Sequence, residues 1–381
     1  MPDYLSVSLP ALTAGFIIAF LLALTLVLTK KWHGRFSLDG SDGVQKFHEA
    51  PTPRIGGVAL YLAAATSLMT LEGEARSLMG MILFAGIPAF LAGFIEDITK
   101  KVSPRSRLLA TMASGAIFAL PFGFAFDLAD LQWVSNIVQV GWPVYLFAIL
   151  LLVIGMAGVA NAVNIVDGFH GLASGSLIVM QAAFGGIALS VGDTALATVA
   201  FSLAAVQGGF LLVNFPFGKI FLGDAGAYFA GFALAAVAVM VTTRNEAISP
   251  FVALLVIFYP VYETLFSIRR KRRRKGHSPS QPDGVHLHML VNRSLSRPLS
   301  DWLGLQAHRN ALTGVLMWPF SAVCALMAIA ASGSGRAAVL GCLVFAMLYG
   351  RIYLMVSLQR SPLLNKAERA LKRRAREGGA A

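Results

Sequence analysis

Stretches of 18 or more uncharged, mostly apolar residues recur along the whole sequence, and this recurrence decides what the chain can fold into. A helix of about 20 apolar residues crosses the roughly 30 Å hydrocarbon core of a bilayer. Backbone N–H and C=O groups in lipid must be bonded within the segment, so each stretch is expected to be a helix. Composition agrees: of 381 residues only 13% are charged, against about 25% for a soluble domain. Charge this sparse cannot cover a globular surface, and it is clustered between the apolar runs. The fold class expected is an all-α polytopic membrane protein.

Eleven spans are predicted (ten if one close pair is misread), at 7–29, 55–71, 78–95, 108–126, 140–159, 173–191, 194–213, 225–243, 248–268, 311–332 and 337–357. Pro88, Pro121 and Pro260 fall inside spans and are expected to kink them. The first run follows Asp3 rather than basic residues and exceeds the length of a signal peptide core, so it reads as an uncleaved first span. Eleven spans place loops 30–54, 96–107, 160–172, 214–224 and 269–310, and everything after Gly350, on one side. That side holds every Lys and Arg except Arg76, Arg244 and Arg336. The positive-inside rule makes it cytoplasmic and puts the N-terminus outside. A single membrane domain over 1–360 and a basic cytoplasmic tail over 361–381 follow.

The net charge of +12 is therefore topogenic and does not call for nucleic acid as a partner. The run RRKRRRKG, 269–276, reads as a stop-transfer flank, and the basic tail segment 365–377 as a surface helix on anionic lipid. Cys324 and Cys342 lie in apolar runs without paired spacing and read as buried small hydrophobes. The acids predicted outside, Asp3, Glu72, Glu74, Asp127, Asp130, Asp193 and Glu246, read as solvated loop charges.

The basic side carries five distinctive segments. KFHEAPTPRIGG, 46–57, combines a stiff proline approach with Lys46, His48 and Arg54 as phosphate donors. GFIEDITKKVSPRSR, 93–107, sets the adjacent carboxylates Glu96 and Asp97 beside Lys100, Lys101, Arg105 and Arg107, a pattern that can bind a divalent cation, activate a nucleophile or simply form edge ion pairs. NAVNIVDGFHGLASG, 161–175, places Asn161 and Asn164 three apart on one helical face, followed by Asp167 and His170 in a glycine-rich turn. This loop has almost no topogenic charge, which favours a polar ligand pocket. NFPFGKIFLGDAGAYFAG, 214–231, puts Asp224 at a helix start, where an acid can hold Mg²⁺, with Asn214 to bond a planar base and Phe221 to stack on it. PDGVHLHML, 282–290, places His286 and His288 two apart, a spacing suited to an extended loop; without cysteines it is a weak zinc site, and its basic surroundings favour an anion. Together these segments describe phosphoryl transfer at a membrane surface.

The set PTPRIGG, the acid pair, NAVNIVDG, FLGDAGAY and PDGVHLH, in that order over roughly residues 30 to 360, resembles the polyprenyl-phosphate N-acetylhexosamine-1-phosphate transferases. The resemblance implies transfer of a sugar-1-phosphate from a UDP-N-acetylhexosamine to undecaprenyl phosphate, with release of UMP and a requirement for Mg²⁺ (Mn²⁺ as an alternative). It implies a bacterial inner-membrane enzyme with its active site on the cytoplasmic side, and allows a homodimer. By the same resemblance Asp224 is the metal-binding acid, and Glu96 and Asp97 serve the metal or the lipid phosphate. Asn164 and Asp167 line the pocket, Asn214 and Phe221 meet the nucleotide, His286 and His288 approach the diphosphate, and Lys46 faces the site. Three positions depart from the family pattern: Glu96 stands for Asp, His170 for an acid, and Met289 for a third histidine. The motif context is nearest the O-antigen-initiating type with UDP-GlcNAc as donor, with a 6-deoxy-N-acetylhexosamine donor as the alternative. A secondary transporter is the rival from another class, disfavoured by spans nearly free of charge and by the lack of a clear internal repeat.

Overall fold

The structure is a computed structural model that describes residues 7–39, 51–122, 142–273 and 284–358. The described residues are mostly helical: α1 (Leu9–Leu28), α2 (Lys30–Ser37), α3 (Gly56–Thr66), α4 (Gly73–Thr99), α5 (Pro104–Phe122), α6 (Trp142–Val166), α7 (Leu172–Ser190), α8 (Thr194–Asn214), α9 (Gly223–Thr243), α10 (Pro250–Val256), α11 (Phe258–Arg273), α12 (Leu287–Val291), α13 (Arg297–Leu303), α14 (Arg309–Ala330) and α15 (Gly335–Ser357). The described β-structure is a two-residue antiparallel pairing of Leu38–Asp39 with Thr52–Pro53, which draws the chain after α2 back to the entry of α3. The protein is an all-α polytopic membrane protein. Each of the eleven apolar stretches coincides with a helix or a helix pair. Eight described helices are long and apolar enough to cross a bilayer, and the bent pair α10–α11 makes a ninth. The remaining two fall short: α3 with its 3₁₀ extension covers only Gly56–Met69, and α5 carries Arg105 and Arg107 in its first turn.

α9 is the axis of the bundle, with nearly all of its length buried, whereas α1 and α15 expose most of theirs. Lipid tails are as apolar as leucine, so membrane helices associate through close packing of small residues. α9 (GDAGAYFAGFALAAVAVMVTT) follows this rule. Its first turn is approached most closely by Gly57 of α3 and Gly93 of α4. A Cβ on Gly57 would lie 2.2 Å from the Gly226 nitrogen, and one on Gly93 would lie 2.4 Å from the Ala225 nitrogen. The glycines let two helices reach the backbone of a third at the point where Asp224 stands.

The prolines behave differently from one another. Pro88 leaves α4 continuous, and the neighbouring Ala89 N–H donates to Ser114 Oγ of α5 at 3.0 Å. Near Pro260 the span breaks: α10 and α11 meet at Ile257 with a bend of 78°. Proline at 260 has no N–H to give the carbonyl of Val256 and its ring crowds that carbonyl, which places the break just ahead of it. Pro121 belongs to α5, and its side chain lies outside the described residues.

At the end of the bundle remote from Asp97, two of the acids read from sequence as solvated, Asp193 and Glu74, are clamped by Arg244, and of the two only Asp193 is shielded from solvent. Arg244, after α9, donates to Asp193 through Nε at 2.8 Å and Nη2 at 3.1 Å, and to Glu74 through Nη1 at 2.9 Å. Asp193 also accepts the Leu196 N–H at 3.0 Å, capping α8. A short turn packed against its neighbours excludes water from Asp193, which explains the correction. Asp3, Asp127 and Asp130 lie outside the described residues. Burial works against the charged form of Asp193, but bonds from Arg244 and the Leu196 backbone outweigh it and hold the carboxyl below its ordinary range. A depressed carboxylate contributes stability above its unfolded pKa, and that contribution disappears as pH falls through the folded one. Arg244→Gln is expected to cost about 1–3 kcal/mol at pH 7. The gap should close below about pH 4, which thermal unfolding in detergent across pH will measure.

Candidate active site

The first turn of α9 leaves N–H groups without intrahelical partners. Here the cap comes from another helix. Asp97, fully buried near the end of α4, accepts the Asp224 N–H through Oδ1 at 2.9 Å and the Ala225 N–H through Oδ2 at 3.0 Å. Its carboxylate thereby fixes the backbone of the residue that carries the next carboxylate. Asp224 Oδ1 accepts from Asn164 Nδ2 at 3.1 Å and from Arg54 Nη2 at 3.4 Å, while Oδ2 is paired with Arg107. Arg54 Nη2 also stands 3.6 Å from Asp97 Oδ1. Two carboxylates and two guanidinium groups, from the segment that enters α3 and from α4, α5 and α9, are thus gathered with the amide of α6. Asp167, just beyond α6, has its carboxyl pushed up to about 7, first by burial and then by the charge of Asp224, with Arg54 opposing.

A second group lies in the adjoining loops. Asn214 accepts the Gly171 N–H through Oδ1 at 2.6 Å and donates through Nδ2 to the Ile220 carbonyl at 2.6 Å. Both ends of this amide brace backbone, so the base contact expected of it would require breaking the brace. His170 Nδ1 lies 3.1 Å from the Pro216 carbonyl, a donor role that the acid of the family pattern would fill only when protonated. Its ring stands 5.9 Å from that of Phe221, tilted by 32°. The histidine segment closes the arrangement from the far side. His286 and His288 stack with parallel rings 5.4 Å apart. His288 meets the Phe169 ring edge to face at 5.8 Å and lies against Gly168, next to Asp167.

The structure therefore brings Arg54, Asp97, Asn164 and Asp224 together, with Asp167 in their electrostatic reach and the two histidines across Gly168. Glu96, Asn161, Lys100 and Lys101 stand outside this hydrogen-bonded group, and Glu96 reaches it only through its charge on Arg107. Glu96 accepts the Val102 N–H at 2.8 Å, because adjacent residues on a helix point about 100° apart and Asp97 alone faces α9. Asn161 donates to Thr111 Oγ1 at 3.1 Å and Ala157 O at 2.8 Å. Lys100 reaches the Leu38 carbonyl at 3.1 Å, and Lys101 is exposed. Lys46 and His48 lie outside the described residues. Of the four bases that follow the acid pair in sequence, Arg107 is the one that pairs with Asp224.

Among the described residues no three His, Cys, Asp or Glu side chains form a metal-binding group. The Glu96–Asp97–Asp224 set is not gathered as three ligands, since Glu96 turns away. Asp224, with the amide oxygen of Asn164 and the nearby Asp167, is a hard-oxygen set of the sort Mg²⁺ uses when substrate phosphates and water complete its octahedron. The donors fit that sparse mode of binding and not an all-protein cage.

The model of glycosyl transferase family 4 matches residues 79–242, which span the acid pair, the Asn164 segment and Asp224. The phospho-N-acetylmuramoyl-pentapeptide-transferase of Limosilactobacillus fermentum is 30% identical over 60% of this chain and 73% of its own length. The chain belongs to glycosyl transferase family 4. It is an enzyme, a phosphoglycosyltransferase. Two further relatives cover more of it. The undecaprenyl-phosphate alpha-N-acetylglucosaminyl 1-phosphate transferase of Escherichia coli is 27% identical over 79% of this chain and 82% of its own. The decaprenyl-phosphate N-acetylglucosaminephosphotransferase of Mycolicibacterium smegmatis is 28% identical over 82% and 79%.

Asp97→Asn replaces one acceptor oxygen by an NH₂ group facing backbone N–H donors. The substitution is expected to cost about 1–3 kcal/mol. Thermal unfolding in nanodiscs will show this; an unchanged midpoint would mean that the cap does not hold α9.

Proposed function

We propose that the protein transfers N-acetylglucosamine-1-phosphate from UDP-N-acetylglucosamine to undecaprenyl phosphate, starting the lipid-linked assembly of an O-antigen-like polysaccharide on the cytoplasmic face of a bacterial inner membrane. The observation that carries this reading is the Asp224 carboxylate, fixed by Asp97 and flanked by Arg54, Arg107 and Asn164, in a family whose relatives with 27–28% identity are named as undecaprenyl-phosphate and decaprenyl-phosphate N-acetylglucosamine phosphotransferases. The location of nearly all Lys and Arg on one side of the predicted spans supports the cytoplasmic placement.

In this reaction an oxygen of the lipid phosphate attacks the β-phosphorus of the nucleotide sugar. The bond from that phosphorus to the bridging oxygen breaks, and UMP leaves with the oxygen and its electron pair. Little covalent work falls to the protein, so positioning and charge stabilisation provide most of the catalysis. Arg54 and Arg107 are guanidinium groups able to take phosphate oxygens bidentately. Asp224, with Asn164 and Asp167 as oxygen donors, would hold Mg²⁺, which supplies charge neutralisation to the diphosphate when bound. Asp97 orients Asp224 through the α9 backbone, and the two histidines approach the phosphates from the Gly168 side.

Purified protein in nanodiscs, given undecaprenyl phosphate and radiolabelled UDP-N-acetylglucosamine, is expected to form labelled lipid and stoichiometric UMP, and to stop on chelation. Asp224→Asn should lower turnover about 100-fold or more. A panel that includes UDP-6-deoxy-N-acetylhexosamines identifies the donor. Vesicle uptake of label with no lipid-linked product would overturn the reading.

A further inference from the structure

One buried acid takes no part in the cluster around Asp224. Glu263 lies on α11, fully shielded from solvent, six residues past the break at Ile257. A carboxylate within a membrane-embedded bundle is costly to keep and needs compensating donors. Glu263 has three: His286 Nδ1 at 2.9 Å from Oε1, the Leu287 N–H at 3.4 Å from the same oxygen, and the Tyr349 hydroxyl on Oε2. The same two helices also hold the residue before His286. Arg270 Nη1 and the Tyr353 hydroxyl both donate to the Val285 carbonyl, at 2.9 Å and 3.1 Å. The backbone before His286 and the ring of His286 are therefore fixed by separate residues.

A structural brace would be served by Tyr349 and a neutral acceptor. A carboxylate aimed at Nδ1 does something more specific, because the bond made by one imidazole nitrogen decides what the other can do. We propose that Glu263 is the positioning residue for His286, holding the proton on Nδ1 and turning the Nε2 edge of the ring away from α11 for work on the phosphates. The parallel His288 ring, wedged against Gly168, sets the plane in which His286 lies. The inference rests on the transfer reaction proposed above, with His286 at the diphosphate.

The test combines Glu263→Met, Glu263→Gln, His286→Asn and the double variant Glu263→Met/His286→Asn, all in nanodiscs. Two readouts are taken: kcat and KM for both substrates, and the histidine ring ¹⁵N spectrum, with His286 assigned by its loss in His286→Asn. The unmutated protein is expected to show His286 protonated at Nδ1, and Glu263→Met to lose that state. Glu263→Met should lower kcat about tenfold or more with KM changed less than about twofold. Glu263→Gln, which keeps an acceptor, should recover part of the loss. The double variant should be no worse than His286→Asn within about twofold, as for residues acting through one group. Losses that multiply in the double variant, an unchanged His286 tautomer in Glu263→Met, or full turnover in His286→Asn would each overturn the inference. A protein that forms no lipid-linked product before mutation would instead refute the transfer reading, and the ring spectrum alone would then decide the Glu263–His286 pairing.

Discussion

The bond pair from the Asp97 carboxylate to the first turn of α9 is the contact on which the rest of the site depends. It joins residues 127 positions apart and gives the first N–H groups of α9 acceptors that the helix itself cannot supply. Gly57 and Gly93 make the contact possible by letting α3 and α4 approach α9 without side chains between them. Arg54 and Arg107 then balance the two acids, so the cluster sits at the edge of an apolar bundle with its charges paired. Placement of Asp224 is a matter of helix packing as much as of the residue itself.

Much of this was legible in the sequence because a bilayer leaves few choices. Apolar length fixed the helices, and glycines next to polar residues marked the loops where they meet. Asn164 and Asp167 stood out because a bland membrane-edge role explains their loop poorly, whereas Asp224 and the histidines gained weight only from sharing one predicted face with them. Side-chain direction was not legible. Glu96 and Asp97 are neighbours in sequence, yet only Asp97 faces α9, and this follows from the helical phase of α4 as its packing sets it. Asn214 carries the right chemistry for a base but spends it on backbone, which depends on loop paths that no local pattern states. Nothing near Glu263 in sequence marks it, because its partners Tyr349 and His286 lie 86 and 23 residues away.

The two ends of the bundle use charge differently. At the Arg244 end, three loops are locked by a bidentate pair and a capping carboxylate, which satisfies every group and leaves a closed knot. At the Asp224 end, Arg54 is shared between two acids, and burial together with the charge of Asp224 pushes the Asp167 carboxyl up. A pair of this second kind can exchange partners when phosphates arrive, whereas the first cannot without unfolding a turn.

The 78° bend before Pro260 makes the flank of α11, rather than its tip, available to the histidine segment. Glu263 and Arg270 are seven residues apart, two turns and about 10.5 Å along one face, and they grip His286 and Val285 respectively. A straight span would offer that segment only a helix end, with one turn of side chains to hold it. Bent, the helix serves as a splint laid alongside the loop, and an otherwise irregular stretch acquires the rigidity of the element beside it.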